Sequence, residues 1–324
     1  MDRRTFLKSA SAAVAGTSLL SACANEETEM PNSTSINRFG VGLFTIPMWL
    51  EQDFGGTLAK LAEIGYKELE FYGPFPFSVQ AAHDSWNAIT PNLPFSGSGY
   101  FGHTAKEVRA MLDANGLTAP SMHVDLGTLE NNLDELVEMA GIMGHKYAGI
   151  AAIPEEERKT LDEYRRMADR FNNIGMKLKD AGMQFMYHNH GYGLVEMDGE
   201  IPFRIVLDRT EPDYVAMEMD VFWTVAGKAD PIAYLDEYPG RYKLMHLKDM
   251  IEMTHFEGDG GSPDEWIELF PQMADAGMGV LDLKAILAAA HKAGVDHYYL
   301  ERDMAAEPEK TLKDSYTNLV ALAG

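Results

Sequence analysis

Residues 242–249 read YKLMHLKD, and three further runs share their construction: 183–190 (MQFMYHNH), 215–223 (VAMEMDVFW) and 297–303 (HYYLERD). Each is short and strand-like, and each carries toward its end a residue able to bind a divalent cation. A hard or borderline divalent ion needs three or four oxygen and imidazole donors converging on one point. A parallel barrel provides that convergence when each donor sits at the carboxyl end of a different strand. The four runs therefore predict a barrel and, at its mouth, a metal-dependent enzyme.

Four earlier runs complete a series of eight: 39–47 (FGVGLFTIP), 68–72 (ELEFY), 118–125 (TAPSMHVD) and 147–152 (YAGIAA). All are short and apolar with β-branched or aromatic content. Amphipathic stretches lie between them, at 56–64, 104–115, 128–143, 161–181, 230–238 and 282–293. Gly116, Gly182 and Gly294 each close one such stretch just before the next strand, as helix stops do. Eight β-then-α units predict a single-domain α/β fold, a closed (β/α)8 TIM barrel over residues 38–324. No Gly-rich dinucleotide fingerprint follows the first strand, which counts against an open doubly wound sheet.

The amino terminus predicts an address. Arg3 and Arg4 precede a short apolar stretch from Ala10 to Leu20, followed by Leu20-Ser21-Ala22-Cys23. Residues 1–22 resemble a twin-arginine lipoprotein signal peptide. The apolar run is too short to cross ~30 Å of hydrocarbon as a permanent helix. Cys23 is the one cysteine of the chain, so it has no disulfide partner, and lipidation is its expected fate. Residues 23–37 are polar and acidic and read as a disordered tether. The expectation is a protein exported folded by the twin-arginine route. It would be held to a membrane by a lipid anchor, periplasmic or outer-membrane-associated in a bacterium. Phosphorylated sugars are scarce there, so a free sugar or glycoside is the expected substrate class.

Charge narrows the partners further. Fifty acidic residues against 27 basic ones give a net charge of −23, with no basic stripe. A phosphate-backbone partner needs the opposite balance, so nucleic acid is excluded. Two segments exceed ordinary loop length, 73–102 and 251–279, and both follow strands. Barrel topology puts them on the catalytic face, where long loops cover substrate. Phe75, Phe77, Trp86, Phe95, Tyr100 and Phe101 in the first offer rings for sugar stacking or for pinning the loop.

Gly65-Tyr66-Lys67-Glu68-Leu69-Glu70, Tyr187-His188-Asn189-His190, Met219-Asp220, His246-Leu247-Lys248-Asp249 and Leu300-Glu301 together carry a resemblance. In this order, at strand ends, they are similar to the xylose-isomerase-like barrel superfamily. That group contains sugar isomerases, sugar epimerases, inosose dehydratase and endonuclease IV, and the resemblance covers about residues 38 to 322. It implies one divalent ion held by a Glu, an Asp, a His and a Glu from strands five to eight. The last three fall on Asp220, His246 and Glu301. At the first position this chain departs from the pattern, with His188-Asn189-His190 where many members have Glu followed by Asn-His. His188 is therefore the expected first ligand, with His190 near the substrate. Two imidazoles and two carboxylates suit Mn, Zn, Co or Fe.

The remaining candidates follow from position. Glu70 and His123 finish the second and third strands, so both are expected at the metal pocket beside Lys248, hydrogen-bonding sugar hydroxyls. Glu218, two residues before Asp220, is read as a deeper structural carboxylate or a partner of the ligands. Lys248 is expected to meet a substrate oxygen or a nearby carboxylate. Such a site suits removal of a proton next to a sugar carbonyl. Glu301 is the leading base, followed by His190 and Lys248. Epimerases of the group use two glutamates on opposite sugar faces, and His188 removes one of that pair. The first expectation is an isomerase/epimerase-family enzyme. The alternatives are a 3-keto-glycoside lyase or hydratase and a carbohydrate-binding lipoprotein without catalysis.

The address is directly testable. Cys23→Ser is expected to abolish lipid attachment and release the protein from membranes, and paired Arg3→Lys and Arg4→Lys to block export. Metabolic lipid labelling and fractionation read both, and membrane association unchanged in the cysteine variant would remove the anchor.

Overall fold

The computed structural model describes residues 36–324; Arg3, Arg4, Cys23 and most of the expected tether lie outside the described residues. Eight parallel strands close a barrel in chain order. They are β1 (Gly40–Gly42), β2 (Glu68–Tyr72), β3 (Thr118–His123), β4 (Tyr147–Ile150), β5 (Gln184–His188), β6 (Val215–Asp220), β7 (Tyr242–Leu247) and β8 (His297–Leu300). β8 pairs with β1 through Gly40↔Tyr299 and completes the ring. This is the expected (β/α)8 TIM barrel in one domain.

Strand alternation sorts the side chains into two layers. On β5, Phe185 and Tyr187 join the large core between sheet and helices, while Met186 turns inward to pack with Ala216, Leu244 and Tyr299. One inward step further along come His188, Glu218, His246 and Glu301. The barrel interior thus changes from apolar to ionisable within one rung. Close strand approach demands small residues at two places. An added Cβ at Gly149 would strike the backbone of Met186, and one at Gly42 would lie 2.5 Å from the Glu301 carboxylate.

Several expected strands stop earlier than their sequence runs, and after β6 the residues beyond the metal-binding side chain turn back into helix. Val221–Ala226 starts directly after β6, and the Asp220 side chain caps it. The expected helix 128–143 is divided at Asn132 into Leu126–Asn131 and Leu133–Met143. A helix at Pro202–Arg209 stands between β5 and β6, and Pro308–Ala323 closes the chain. Gly116 and Gly294 are left-handed caps with φ of 64° and 86°, as the sequence requires. Among the described residues no helix is long and apolar enough to cross a membrane.

Both long segments lie beyond carboxyl strand ends and carry structure of their own. The first holds the helix Gln80–Ile89. Phe75, Phe77, Phe95 and Tyr100 are buried in the core, so these rings pin the loop rather than face a substrate, while Trp86 and Phe101 pack only partly buried against it. The second segment contains the helix Pro263–Leu269 and a two-residue antiparallel pairing of Asp249–Met250 with Met273–Ala274.

Gly149 offers a test of the strand spacing. Because its new methyl would meet backbone rather than a movable side chain, Gly149→Ala is expected to destabilise by about 3 kcal/mol. Chemical denaturation measures it, and a variant within error of the parent would show that β4 and β5 are not in tight register.

Candidate metal centre and active site

The ionisable residues form two tiers. Glu218, fully buried on β6, lies at the centre of the lower one. Its Oε2 is hydrogen-bonded to His123 Nε2 at 2.7 Å and to His188 Nδ1 at 3.1 Å, while Oε1 lies 3.4 Å from His246 Nε2. Glu70 supports the same tier: its Oε2 is 2.5 Å from His246 Nε2, and its Oε1 accepts from the Ser121 hydroxyl at 2.7 Å. Each imidazole is thus anchored from below by one nitrogen, which fixes its ring, and in His246 the second nitrogen meets Glu301 in the tier above.

In the upper tier His188 Nε2 and His246 Nδ1 each lie 3.8 Å from Asp220 Oδ2, and Glu301 Oε2 lies 2.7 Å from His246 Nδ1. Asp220 spends Oδ1 on the Trp223 amide at 2.9 Å, and its buried Oδ2 has only the Lys248 ammonium, 3.0 Å away and poorly aligned for a hydrogen bond. Asp220, His246 and Glu301 present ligand atoms within 4.8 Å of one another, and His123, His188, Glu218 and His246 form a second such group. Of the four expected ligands, three therefore fall in one group and His188 adjoins it through Nε2.

Lys248 completes the upper tier. Its ammonium lies 3.0 Å from Asp220, 2.8 Å from Glu301 and 3.0 Å from Asp303. Arg302 turns away to Asp275, so the cation facing Glu301 is Lys248. His190 lies just past the end of β5. Its Nδ1 is bonded to the Ala151 carbonyl at 2.7 Å, and its ring is stacked at 4.2 Å on Trp266 from the second long segment.

Electrostatics favour a cation here. Five carboxyl groups, those of Glu70, Glu218, Asp220, Glu301 and Asp303, surround one lysine and the histidines with little access to water. Burial alone would push His246 down, but Glu218, Glu301 and Glu70 outweigh it and hold the imidazole well above its ordinary value. Burial likewise favours neutral Glu218 and Glu301, yet His246 keeps both well below the usual carboxylate range. Burial lowers His188 to about 4 and leaves it neutral, as a metal ligand must be. The Asp220 oxygen that no donor but Lys248 approaches, the His188 and His246 nitrogens 3.8 Å from it and the surplus of carboxylates fit a divalent ion.

The positions expected from sequence come together with one change of role. His123, His188, His190, Asp220, His246, Lys248 and Glu301 all line the cluster. Glu70 was expected at sugar hydroxyls. Both its oxygens are instead engaged by Ser121 and His246 beneath the site, because it lies one rung below the strand-end donors. Asp303, Trp223 and Trp266 were not singled out for the site. Asp303 stands within the quoted run 297–303, but Trp266 carries no local signal that points to His190.

Fold and cluster define a TIM barrel with a buried donor set at the carboxyl ends of its strands, the face on which such barrels do chemistry. Residues 58–319 match the xylose isomerase-like TIM barrel family, and the chain belongs to it. Inosose dehydratase of Lacticaseibacillus casei is 26% identical over 164 residues, covering 48% of this chain and 53% of that protein. The chain thus matches about half the length of this curated relative. A sugar phosphate isomerase/epimerase from Parabacteroides distasonis has a similar structure, with a TM-score of 0.67, 22% identity, and coverage of 92% of this chain and 99% of that one. The IOLI protein, crystallised with a zinc atom, is similar at a TM-score of 0.62 and 13% identity over 89% of this chain and 99% of its own.

The cluster predicts a pH dependence. Burial carries the Asp303 carboxyl from 3.8 to about 7 against the pull of Lys248, with Glu301 and Asp220 adding to the rise. A raised group stabilises the fold below its unfolded value and loses that contribution as pH climbs through the folded one. His246 acts in the same direction at higher pH. Glu218 and Glu301, both lowered, lose theirs only as pH falls below the ordinary carboxylate range. Buried His145 and His188, lowered to about 4, act the other way and add stability as pH rises toward 6.5, as does His190. Asp303→Asn, which removes the opposing contribution, is therefore expected to make the thermal midpoint of metal-free protein climb more steeply than the parent's as pH rises from 3.8 through about 7. Parallel pH profiles in the two proteins would contradict the charge balance.

Proposed function

We propose that the chain is a metal-dependent enzyme that removes a proton next to the carbonyl of a non-phosphorylated sugar. The observation that carries this is the grouping of Asp220, His246 and Glu301, with ligand atoms within 4.8 Å of one another and His188 Nε2 3.8 Å from Asp220. These four would hold the ion, of the Mn, Zn, Co or Fe class. It would act as a Lewis acid on the carbonyl and a neighbouring hydroxyl, making the adjacent C–H bond more acidic.

Glu301 is the base. Lys248, 2.8 Å away, keeps its carboxylate ionised, and it stands at the rim of the upper tier. Lys248, which its carboxylate partners hold protonated against burial, is the nearest proton donor. Burial, with His188 and the Lys248 ammonium close by, keeps His190 neutral, so its free Nε2 accepts a hydrogen bond from a substrate hydroxyl. Glu70, Glu218 and His123 position the rings. The cations beside the cluster are already committed, Lys248 to three carboxylates and Arg302 to Asp275, which supports an uncharged substrate over a sugar phosphate.

Two outcomes share this step. Isomerisation or epimerisation returns a proton to carbon. β-Elimination, as in a 3-keto-glycoside lyase or a dehydratase, expels a neighbouring group that takes its proton from Lys248. A second carboxylate base on the opposite sugar face is replaced by His188, which favours elimination, and the similarity to inosose dehydratase supports the same outcome. An inactive binding protein has no use for a cation-ready donor set. The signal-like amino terminus supports an exported, lipid-anchored enzyme.

Asp220→Ala is expected to abolish stoichiometric metal binding measured by elemental analysis. Glu301→Gln, assayed at matched metal content, is expected to slow α-proton exchange of a keto-sugar by about 10²–10⁴-fold. A Gln variant that keeps its metal and exchanges at the parental rate would move the base to His190 or Lys248. Release of the β-substituent against deuterium returned to carbon separates the two outcomes.

A further inference from the structure

The second long segment is firmly rooted at both ends. Asp249 accepts backbone N–H bonds from Gly277, Gly279 and Leu281 at 3.0, 2.9 and 3.1 Å. On the other side Phe256 donates its amide to Ala226 and lies parallel to Trp223 at 5.6 Å. Between these roots, residues 258–266 form a self-contained turn. Glu265 accepts from the amides of Gly260, Gly261 and Ser262, and the Trp266 indole donates to Gly260 at 2.8 Å.

Contacts from elsewhere in the barrel hold this turn down. The Trp266 ring stacks on His190. Arg158, from the loop after β4, donates to the Gly261 carbonyl and to Ile153, with its guanidinium over the Tyr192 ring at 4.1 Å. The reacting groups beneath are sealed: Asp220 and His246 are 0% exposed, Lys248 2% and Glu301 7%. A sugar cannot reach them while the surrounding segments stand as they do.

We propose that residues 257–267 are a roof over the site that opens to admit substrate, with Trp266 as the ring that closes on His190 and Arg158 as the positioning residue that latches it. The turn keeps its internal hydrogen bonds when it lifts, so opening breaks the Arg158 contacts to Gly261 and Asp259, the ring stack and the packing of Trp266 on the core beneath. The inference rests on reading the cluster as the active site, but its test needs no activity.

The probe is diethyl pyrocarbonate, with modification mapped by mass spectrometry on the metal-free and metal-loaded full chain. His190 is followed against exposed His291 as internal reference. Trp266→Ala and Arg158→Met are each expected to raise the His190 rate by at least about tenfold, the scale of a shift in a local opening equilibrium. Trp266→Phe is expected to restore protection, which a general loss of packing would not allow. Parental His190 reacting as fast as His291, or neither variant accelerating it, would overturn the roof. If Arg158→Met folds poorly, amide hydrogen exchange in the parent decides. Faster exchange in 257–267 than in 273–281 supports the roof, and equal protection in both overturns it. Metal binding that fails while labelling behaves as expected would count against the functional reading alone.

Discussion

The Glu218 carboxylate is the constraint on which the upper half of this barrel depends. A charge with no exposure to water is costly unless it is bonded on every side, and here imidazoles from β3, β5 and β7 meet it. The cost works in both directions. Glu218 cannot stay ionised without the rings, and the rings cannot keep their orientation without Glu218. Three strands that are not neighbours in the sheet are thereby set in register around the proposed metal site. Removing the carboxylate would leave three nitrogens competing for new partners in a site where metal affinity depends on which of them is free.

Much of this arrangement is legible in the sequence because barrel strands obey a period of two. Phe185, Tyr187, Met217, Met219, Met245 and Leu247 alternate with His188, Glu218, Asp220 and His246, so inward and outward faces separate without a structure. Depth along the strand is another matter. Glu70 and Glu301 read alike, as acidic residues near strand ends, but Glu301 follows its strand whereas Glu70 is third of five in β2. That difference of one rung turns an expected substrate contact into a buried partner of His246. Trp266 was beyond reach for a different reason. Its contact with His190 spans a long excursion whose path is set by Asp249 and Glu265 gathering backbone amides, and no periodicity encodes such a path.

Lys248 shows how closely charge is balanced in the upper tier. Its ammonium touches Asp220 and Glu301, two of the carboxylates proposed to hold the metal, and Asp303 as a third partner. A divalent ion and a lysine both need those oxygens, so metal binding must loosen part of this contact. Asp303 gives the ammonium somewhere to remain. Its carboxyl, pushed up by burial, is the group best able to take on full charge once the lysine leans toward it. The pair thus lets the site accept a second cation without expelling the first into an apolar interior.

The replacement of a glutamate by His188 has a further consequence in the same currency of charge. In the proposed ligand set, Asp220 and Glu301 supply two negative charges, and His188 and His246, the latter once the ion displaces its proton, supply none, which cancels a divalent ion. A third carboxylate would leave the centre net negative and weaken its pull on a carbonyl oxygen. The imidazole keeps that pull, at the loss of a basic group on one sugar face. A site that polarises strongly and carries its base on one side suits a reaction that removes one proton and does not need to return it from the opposite face. The substitution that distinguishes this chain from the epimerase pattern is therefore coherent with elimination on electrostatic grounds as well as by the count of bases.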